Sequence, residues 1–426
     1  LNANGRTIRL NAAFDFGYPT LGSPMQSSVQ VTIVEPVIAV ALATSVTRVN
    51  ASTLSTLTIT VSQSAGVSTA PAYGLFVTIT AAALASSKLA LVNGSVVLVS
   101  TGGLGSVFVL DGNALAGSTG VNISVPVYRL TDGPLTVTLQ VRATDSLTPG
   151  EVLTPTVGIA YGSASTDQAA LQKAEPQPPI RQYAASAQTT LYSDMSYSYQ
   201  FVETRTSLAE TVSPQVALGE VITYTLTALV PQGTTAGVSV QLSALAAAAG
   251  RLSITSAVCT YMPAYITASS GVTTNSTAAP TVAVNPDAGL PDQVTFTLGQ
   301  VVNRGHGAIT RADDYIVFTV TVVVPADSHN TDGVVVKANS AYKFGFTTSP
   351  LTDQRAVQIV EPKLVVAMTN TNNTLYSSRC SAFTVVVQHQ SSSPVSSGPA
   401  YFVRLLVSNL FSPNSLQLTA GSVSSS

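Results

Sequence analysis

Five Asn-x-Ser/Thr triplets are the residues whose types and spacing best suit a chemical modification, because the side-chain amide of such a triplet accepts an N-linked sugar in a secreted protein. The acceptors are Asn50, Asn93, Asn122, Asn275 and Asn372. Four of them fall in predicted turns, where a bulky glycan can be accommodated, whereas Asn122 falls in a strand-like run. Serine and threonine make up 103 of the 426 residues, so chance alone accounts for nearly as many triplets. The triplets therefore predict glycosylation only if the chain is secreted.

The chain has two cysteines, Cys259 and Cys380. They fall in different repeat units, so neither can form a disulfide within its own unit. Both align with strand or strand-edge positions of another repeat. Two interpretations stay open: buried free thiols, or a disulfide across the unit junction, which requires Cα atoms within roughly 7 Å of each other.

The remaining reactive residue types form no recognisable catalytic pattern. His306, His329 and His389 lie in separate regions, and no two of them share a metal-ligand spacing. Asp313-Asp314 has the composition of a calcium-loop fragment but lacks the alternating Asp/Asn and the terminal Glu, so we interpret it as a solvated turn. Nucleophile elbows, phosphate loops and Cys-x-x-Cys pairs are missing from the sequence. We therefore expect no enzyme activity, no cofactor and no metal site.

The elements that position these residues are long tandem repeats. Ile33–Pro36 recurs as Ile359–Pro362, an offset of 326, and Asn11–Gly17 recurs as Asn339–Gly345, an offset of 328. A weaker copy at Phe201–Thr204 sets the unit at about 160 residues. The predicted domains are 1–27 (the end of a preceding unit), 28–180, 181–354, and 355–426 (the start of a further unit). On this interpretation the sequence begins and ends in mid-repeat.

Each unit is predicted to be a β-sandwich, because threonine and apolar residues alternate with period two in many short runs. The clearest runs are Leu57–Val61, Leu75–Thr80, Leu135–Val141, Ile222–Leu226, Val294–Leu298 and Ile316–Val324. Short helical turns are predicted at Gln168–Lys173 and Ala244–Ala249. The connection after the first complete unit contains Glu175–Pro179, which is either a stiff extended spacer or an ordinary surface loop.

Composition excludes two classes of partner. Only 9% of the residues are charged and the net charge is −2, so there is no basic surface to neutralise phosphates, and we expect no nucleic-acid partner. The sequence has no run of 18 apolar residues, so it predicts no membrane span.

The middle unit resembles the Ig-like repeats of giant surface proteins, including the fimbrial isopeptide-type domains of bacterial pili. The residues that carry the likeness are Val216–Leu226, Pro231–Thr235, Leu298–Asn303 and Asp313–Phe318. The flanking units, through Val61–Tyr73 and Val387–Tyr401, resemble a sister repeat of very long extracellular proteins. Their Ala/Val/Thr/Ser-rich texture is similar to that of algal mastigoneme-type proteins, which form hairs on flagella. The resemblance implies an all-β fold of tandem Ig-like antiparallel β-sandwich domains in an elongated array.

One departure from the fimbrial pattern matters. An isopeptide-forming domain is expected to have a lysine on an early strand, near Phe201–Leu208, but this stretch has Arg205, and the middle unit has no lysine before Lys337. We therefore predict no intramolecular isopeptide bond in this unit.

The resemblance implies a structural subunit of an extracellular filament or surface appendage, with flagellar mastigoneme-type hair as the most specific form. Such a subunit would associate with itself, and a Pro-rich or glycosylated chain is a further partner. The alternative is an adhesin or pilus stalk whose domains space a binding tip. A glycan-binding module is disfavoured because the chain has no Trp.

Overall fold

The regular structure in our computed structural model of the chain is almost entirely β-strand. The described residues are 5–14, 25–64, 70–100, 108–110, 120–163, 181–205, 208, 211, 213–245, 250–274, 280–283, 292–305, 314–345, 347–370, 383–390, 400 and 403–406. They form an N-terminal hairpin, two complete sandwiches and a C-terminal hairpin. The N-terminal hairpin pairs β1 (Thr7–Phe14) with β2 (Met25–Thr32) antiparallel.

The first sandwich packs two sheets against each other and adds a small third sheet at one end. One sheet has the order β3 (Ile38–Thr44), β5 (Leu54–Gln63), β11 (Leu135–Ala143) and β7 (Leu89–Leu91), with β8 (Val97–Ser100) also beside β11. The other has the order β14 (Gln182–Gln188), β13 (Thr156–Gly162), β6 (Ala72–Ile79), β10 (Val121–Tyr128) and β9 (Phe108–Leu110). The small sheet joins β12 (Val152–Leu153), β15 (Leu191–Ser193) and β4 (Arg48–Val49).

The second sandwich repeats the central arrangement of the first. Its four-stranded sheet has the order β16 (Tyr199–Arg205), β18 (Val221–Leu229), β24 (Tyr315–Val323) and β20 (Ser253–Tyr261). The larger sheet has the order β17 (Gln215–Ala217), β26 (Leu351–Val360), β25 (Val335–Lys343), β19 (Gly233–Leu245), β23 (Asp292–Asn303) and β21 (Ile266–Ala268), with β22 (Pro280–Ala283) also beside β23. Thus β16-β18-β24 corresponds to β3-β5-β11, and β26-β25-β19-β23 corresponds to β14-β13-β6-β10.

The C-terminal hairpin begins a third copy of this arrangement. It pairs β27 (Leu364–Asn370) with β28 (Phe383–His389) antiparallel. Leu364 lies opposite His389 just as Ile38 lies opposite Gln63, so the repeat offset of 326 is preserved in the strand register. The prediction of tandem Ig-like antiparallel β-sandwich domains is confirmed.

Period-two sequences form these strands because alternate side chains point to opposite faces. In β5, β18 and β24 each apolar position that was predicted to face inward is buried, and the threonines between them are only partly covered. The two cores lie between the paired sheets. In the second, the rings of Phe296 and Phe318 meet from opposite sheets with centroids 4.4 Å apart, and such aromatic pairs stabilise by about 0.5–1.5 kcal/mol beyond their buried area.

The domain boundaries differ from those expected from the sequence. The boundary at 27/28 falls inside β2, and the boundary at 354/355 falls inside β26. Residue 180 precedes β14, although β14 pairs with β13 and Leu191 lies in the first core. In each case the last strand of a unit hydrogen-bonds along its length to the strand before it, so the unit ends later than its sequence motif indicates.

Helical structure also differs from the prediction. The predicted turn at Ala244–Ala249 is wrong at its start, because β19 continues through Ala244 and Leu245, and residues 246–249 lie outside the described part. The predicted turn at Gln168–Lys173 and the Pro-rich spacer at 175–179 also lie outside it. A short helix that the sequence did not predict, α1 (Ala81–Ser86), begins after Thr80, whose hydroxyl accepts a hydrogen bond from the Ala83 amide.

Candidate functional site: the junction between the two sandwiches

The segment that links the two sandwiches is itself built into the first one. Strand β15 pairs antiparallel with β12 and parallel with β4. The pairing extends to Asp194, whose amide donates to the Val49 carbonyl at 3.1 Å. The second sandwich takes over at Ser198, whose carbonyl accepts from the Leu229 amide at 2.9 Å. The linker between these two bonds is therefore only a few residues long.

Hydrogen bonds also cross the junction directly, outside the linker. The Thr234 amide donates to the Leu147 carbonyl at 2.7 Å, and the Thr234 hydroxyl donates to the Asp145 carbonyl at 2.7 Å. On another side, the Ser52 hydroxyl donates to the Arg304 carbonyl at 2.8 Å. Three bonds from two loop pairs, together with the short linker, tie the sandwiches at separate points and so restrict rotation of one against the other.

Two glycines allow this close approach. Gly233 has φ +114°, and a Cβ atom placed there would lie 2.2 Å from the Leu147 carbonyl oxygen. Gly305 has φ +63°, and its Cβ would lie 2.8 Å from the Ala51 carbonyl oxygen. Both positions favour glycine for their backbone conformation and for the space that the other sandwich takes up.

A buried polar network holds the second sandwich's side of the junction in shape. The fully buried Asn303 donates to the Val230 carbonyl at 2.9 Å and accepts from the Gly305 amide at 3.1 Å. Gln232 donates to Asp314 Oδ2 at 3.0 Å, and the Asp314 carbonyl accepts from the Val230 amide at 2.8 Å. These bonds fix the conformation of the loop that carries Gly233, the residue that lies against the Leu147 carbonyl of the first sandwich.

A small cavity of about 20 Å³ lies at this junction. The first sandwich and the linker contribute Asn50, Asp194 and Ser196 to its lining, and the second sandwich contributes Gln232 and Asp314. The solvated-turn prediction is wrong for Asp314, which is 4% exposed, while Asp313 lies outside the described residues. The sequence showed the turn residues Pro231-Gln232-Gly233 and the acidic pair, but nothing in it indicated that they meet.

The predicted glycosylation sites have different surroundings. Asn93 lies in an exposed turn before Gly94, and Asn122 is half-buried within β10. Asn50 is half-buried at the junction cavity, so a sugar linked to its amide would have to extend into solvent between the two sandwiches. Asn275 and Asn372 lie outside the described residues. Glycosylation itself stays a prediction.

Cys259 is fully buried within β20 and forms no disulfide with another of the described residues. Burial raises its pKa to about 11, although its contact with the Tyr261 carbonyl acts in the opposite direction. A thiol that is both covered and protonated at neutral pH is unreactive. Cys380 lies outside the described residues, so the second cysteine interpretation is untested.

The histidines and Lys337 do not form a common site within the described ranges. His329 is exposed and faces Asp327 at 2.8 Å, His389 ends β28, and His306 lies outside those ranges. No group of three or more His, Cys, Asp or Glu side chains in them is arranged to hold a metal ion. Lys337 is exposed on β25, away from the core. No helix of the described residues is long and apolar enough to span a membrane.

No protein-family model matches the sequence, and a search of curated proteins returned no match. Solved structures that align with the chain include the major pilin subunit of Bacillus cereus (10% identity, 83% of this chain and 74% of that one, TM-score 0.27). They also include the major pilin of Streptococcus agalactiae as a 35 kDa C-terminal fragment (9% identity, 75% of this chain and 91% of that one, TM-score 0.25). A third is the collagen adhesin of S. aureus (9% identity, 81% of this chain and 93% of that one, TM-score 0.20). At these TM-scores the alignments carry no argument about function, and the Ig-like assignment stands on the strand order and register described above.

Proposed function

We propose that the chain is a load-bearing spacer segment of an extracellular surface protein of the adhesin or pilus-stalk type. The observation that carries this proposal is the junction, where the linker is a strand of the first sandwich and the loops of the second bond to it directly. A spacer must hold its domains at a fixed angle, and short linkers with hydrogen bonds on several sides do so.

The composition supports the same role. The partly covered faces of the strands carry threonine instead of charge, so the surface stays hydrated with few ion pairs. Neutral polar surfaces depend little on ionic strength, because screening acts on charges. The extracellular location rests on the sequence resemblance.

A filament subunit is the second candidate, and the terminal hairpins favour it. Leu10 and Phe14 on β1 are 61% and 60% exposed, although the equivalent Ala338 and Tyr342 on β25 are buried. Another chain segment, from the same or a neighbouring molecule, would cover such a face. If that segment belongs to a neighbouring molecule, self-association builds the appendage. Flagellar mastigoneme-type hair is the most specific form of this candidate, and it rests on the sequence resemblance alone.

Electron microscopy of the native assembly distinguishes the two candidates. Single rods that project from the cell surface, with the sandwiches in line along them, support the spacer. A periodic lateral lattice of chains supports the filament subunit and overturns the spacer. Flexible beads that bend freely between sandwiches would contradict both, because both require a stiff junction.

A further inference from the structure

Each sandwich contains one parallel strand pair among its described strands, and the two pairs occupy the same place in the fold. In the first sandwich, β4 follows the first strand, β3, and runs parallel to β15, the segment that leaves the sandwich. In the second, β17 follows the first strand, β16, and runs parallel to the end of the last strand, β26. Every other pairing among the described strands is antiparallel. Both sandwiches therefore join their entry and exit segments in the same way.

Backbone hydrogen bonds hold the first parallel pair together. The Tyr192 amide donates to the Thr47 carbonyl at 2.9 Å, and the Asp194 amide donates to the Val49 carbonyl at 3.1 Å. Val49 is buried in the first core, and β12 pairs with the other edge of β15. The pair is therefore an integral part of the first sandwich and not a loose contact at its surface.

The second parallel pair has three residues in each strand and lies deeper in its core. The Gln358 amide donates to the Pro214 carbonyl at 2.8 Å. At the centre of the pair Val216 lies opposite Ile359, and both residues are fully buried. Because these side chains keep water away, a hydrogen bond that breaks here is not replaced at once by a bond to water.

The direction of the paired strands determines how tension along the chain loads them. The chain enters each sandwich ahead of the first strand of the pair and leaves it directly after the second strand. Tension on the two ends therefore pulls two parallel neighbours in opposite directions along their own length. Their hydrogen bonds run from strand to strand, across the pull, so all of them are loaded together. An antiparallel pair that is pulled apart from one end opens bond by bond instead.

We propose that the two parallel pairs are mechanical clamps, each of which must break before its sandwich can unfold under tension. The first clamp is β4 with β15, and the second clamp is β17 with the end of β26. The inference deepens the load-bearing spacer function and rests on it, because it requires tension along the chain. It assigns the resistance to stretching to a few backbone hydrogen bonds, whereas the crossing bonds of Thr234 and Ser52 restrict the angle between the sandwiches.

Single-molecule force spectroscopy of the full chain, held by its two ends, tests this assignment. Gln358→Pro removes the amide that donates to Pro214 and leaves the ladder to β25 in place, because the amides of alternate residues point to opposite sides of a strand. At constant force, the unfolding rate of the second sandwich should rise about 5- to 30-fold. The first sandwich, in the same molecule, should keep its unfolding rate.

Ala356→Pro is the matched control for this substitution. Its amide faces the same edge of β26 as that of Gln358, but it lies before the part of β26 that pairs with β17. Proline is tolerated at such an edge, so the unfolding rate should change by no more than about twofold. Equal acceleration by both substitutions would overturn the proposal, because the effect would then come from proline in β26 and not from the clamp.

If Gln358→Pro does not fold, the direction of the pull provides the test with an intact clamp. An anchor at Ser328→Cys, in the exposed turn before β25, is combined with an anchor at the C-terminal end of the chain, both in a Cys380→Ser background. This pull peels β26 from one end, so the second sandwich should open at a lower force than when the chain ends are pulled. Equal forces in the two directions would overturn the clamp. The spacer function would survive that result, because the single stiff rods seen by microscopy test it separately.

Discussion

Two junctions of this chain are built on different physical principles. Between the sandwiches, the connection rests mainly on strand pairing, bonds to backbone carbonyls and two glycines in close contact, and an ion pair within it, Arg48–Asp194 at 3.7 Å, has a largely exposed arginine. Between the second sandwich and the C-terminal hairpin, Lys363 Nζ lies 2.7 Å from Asp332 Oδ2, and the Glu361 amide donates to Asp332 Oδ1 at 3.1 Å. The Lys363 side chain is 34% exposed, and the Asp332 side chain is 21% exposed.

The difference shows which junction should respond to solvent conditions. Hydrogen bonds between uncharged groups keep their strength in salt, whereas a partly exposed ion pair contributes only about 0–1 kcal/mol and is screened. We therefore expect steric contacts to determine the geometry of the first junction, and salt and pH to change the stability of the second.

The largest effect is expected at Gly233. Gly233→Ala places a Cβ against the Leu147 carbonyl and strains a positive φ, so we expect a loss of about 2–4 kcal/mol and separation of the sandwiches. Thermal unfolding combined with small-angle scattering measures both. Gly219→Ala is the matched control: its φ is +79° but nothing lies within 4 Å of the added Cβ. Equal losses in the two variants would mean that the contact with Leu147 contributes nothing.

The next effect is expected at Asn303. Asn303→Ala leaves the Val230 carbonyl without this donor, and we expect a loss of about 1–3 kcal/mol. Chemical denaturation measures it. Gln300→Ala changes an exposed side chain on the same strand and should stay within about 0.5 kcal/mol of the unaltered chain. A neutral Asn303→Ala would show that the network does not fix the Gly233 loop.

A smaller effect is expected at Lys363. The hydrogen bond from Lys363 lowers the pKa of Asp332, with the Glu361 amide acting in the same direction. A lowered folded-state pKa stabilises the protein above the unfolded-state pKa, and this contribution is lost as the pH falls through the folded value. Lys363→Ala should therefore cost at most about 1 kcal/mol at neutral pH and nothing in strong acid. The exposed Lys337→Ala is the control, and a pH-independent cost would contradict the ion-pair account.

The smallest effect is expected from salt. Molar sodium chloride should leave the first junction unchanged, and the native assembly should stay intact because apolar burial contributes roughly 25 cal/mol per Å². Denaturant or strong detergent should dissociate it. Sedimentation at low and high salt measures this. Dissociation by salt alone would show that charge holds the assembly together.

The strands and the repeat could be predicted because they depend on local alternation and on self-similarity. Leu57–Val61 and Ile316–Val324 carry their burial pattern in the sequence itself. Gly233 and Asp314 could not be assigned, because their roles depend on contacts with Leu147 and with the cavity, far away in sequence. In the sequence, Asp314 looks like a residue of an ordinary acidic turn. Only the structure shows that β24 and the loop at Gln232 enclose it. The units end later than their sequence motifs indicate, because the last strand of each unit pairs along its length with the strand before it.

A stiff junction holds the two sandwiches at one fixed angle. Spin labels at Gln140→Cys and Thr297→Cys, both exposed strand positions, report their separation by double electron–electron resonance. Cys380→Ser removes a competing thiol, and the buried Cys259 stays unlabelled. The account predicts a single narrow distance distribution that broadens in Gly233→Ala. An equally broad distribution in the chain with Gly233 intact would contradict it.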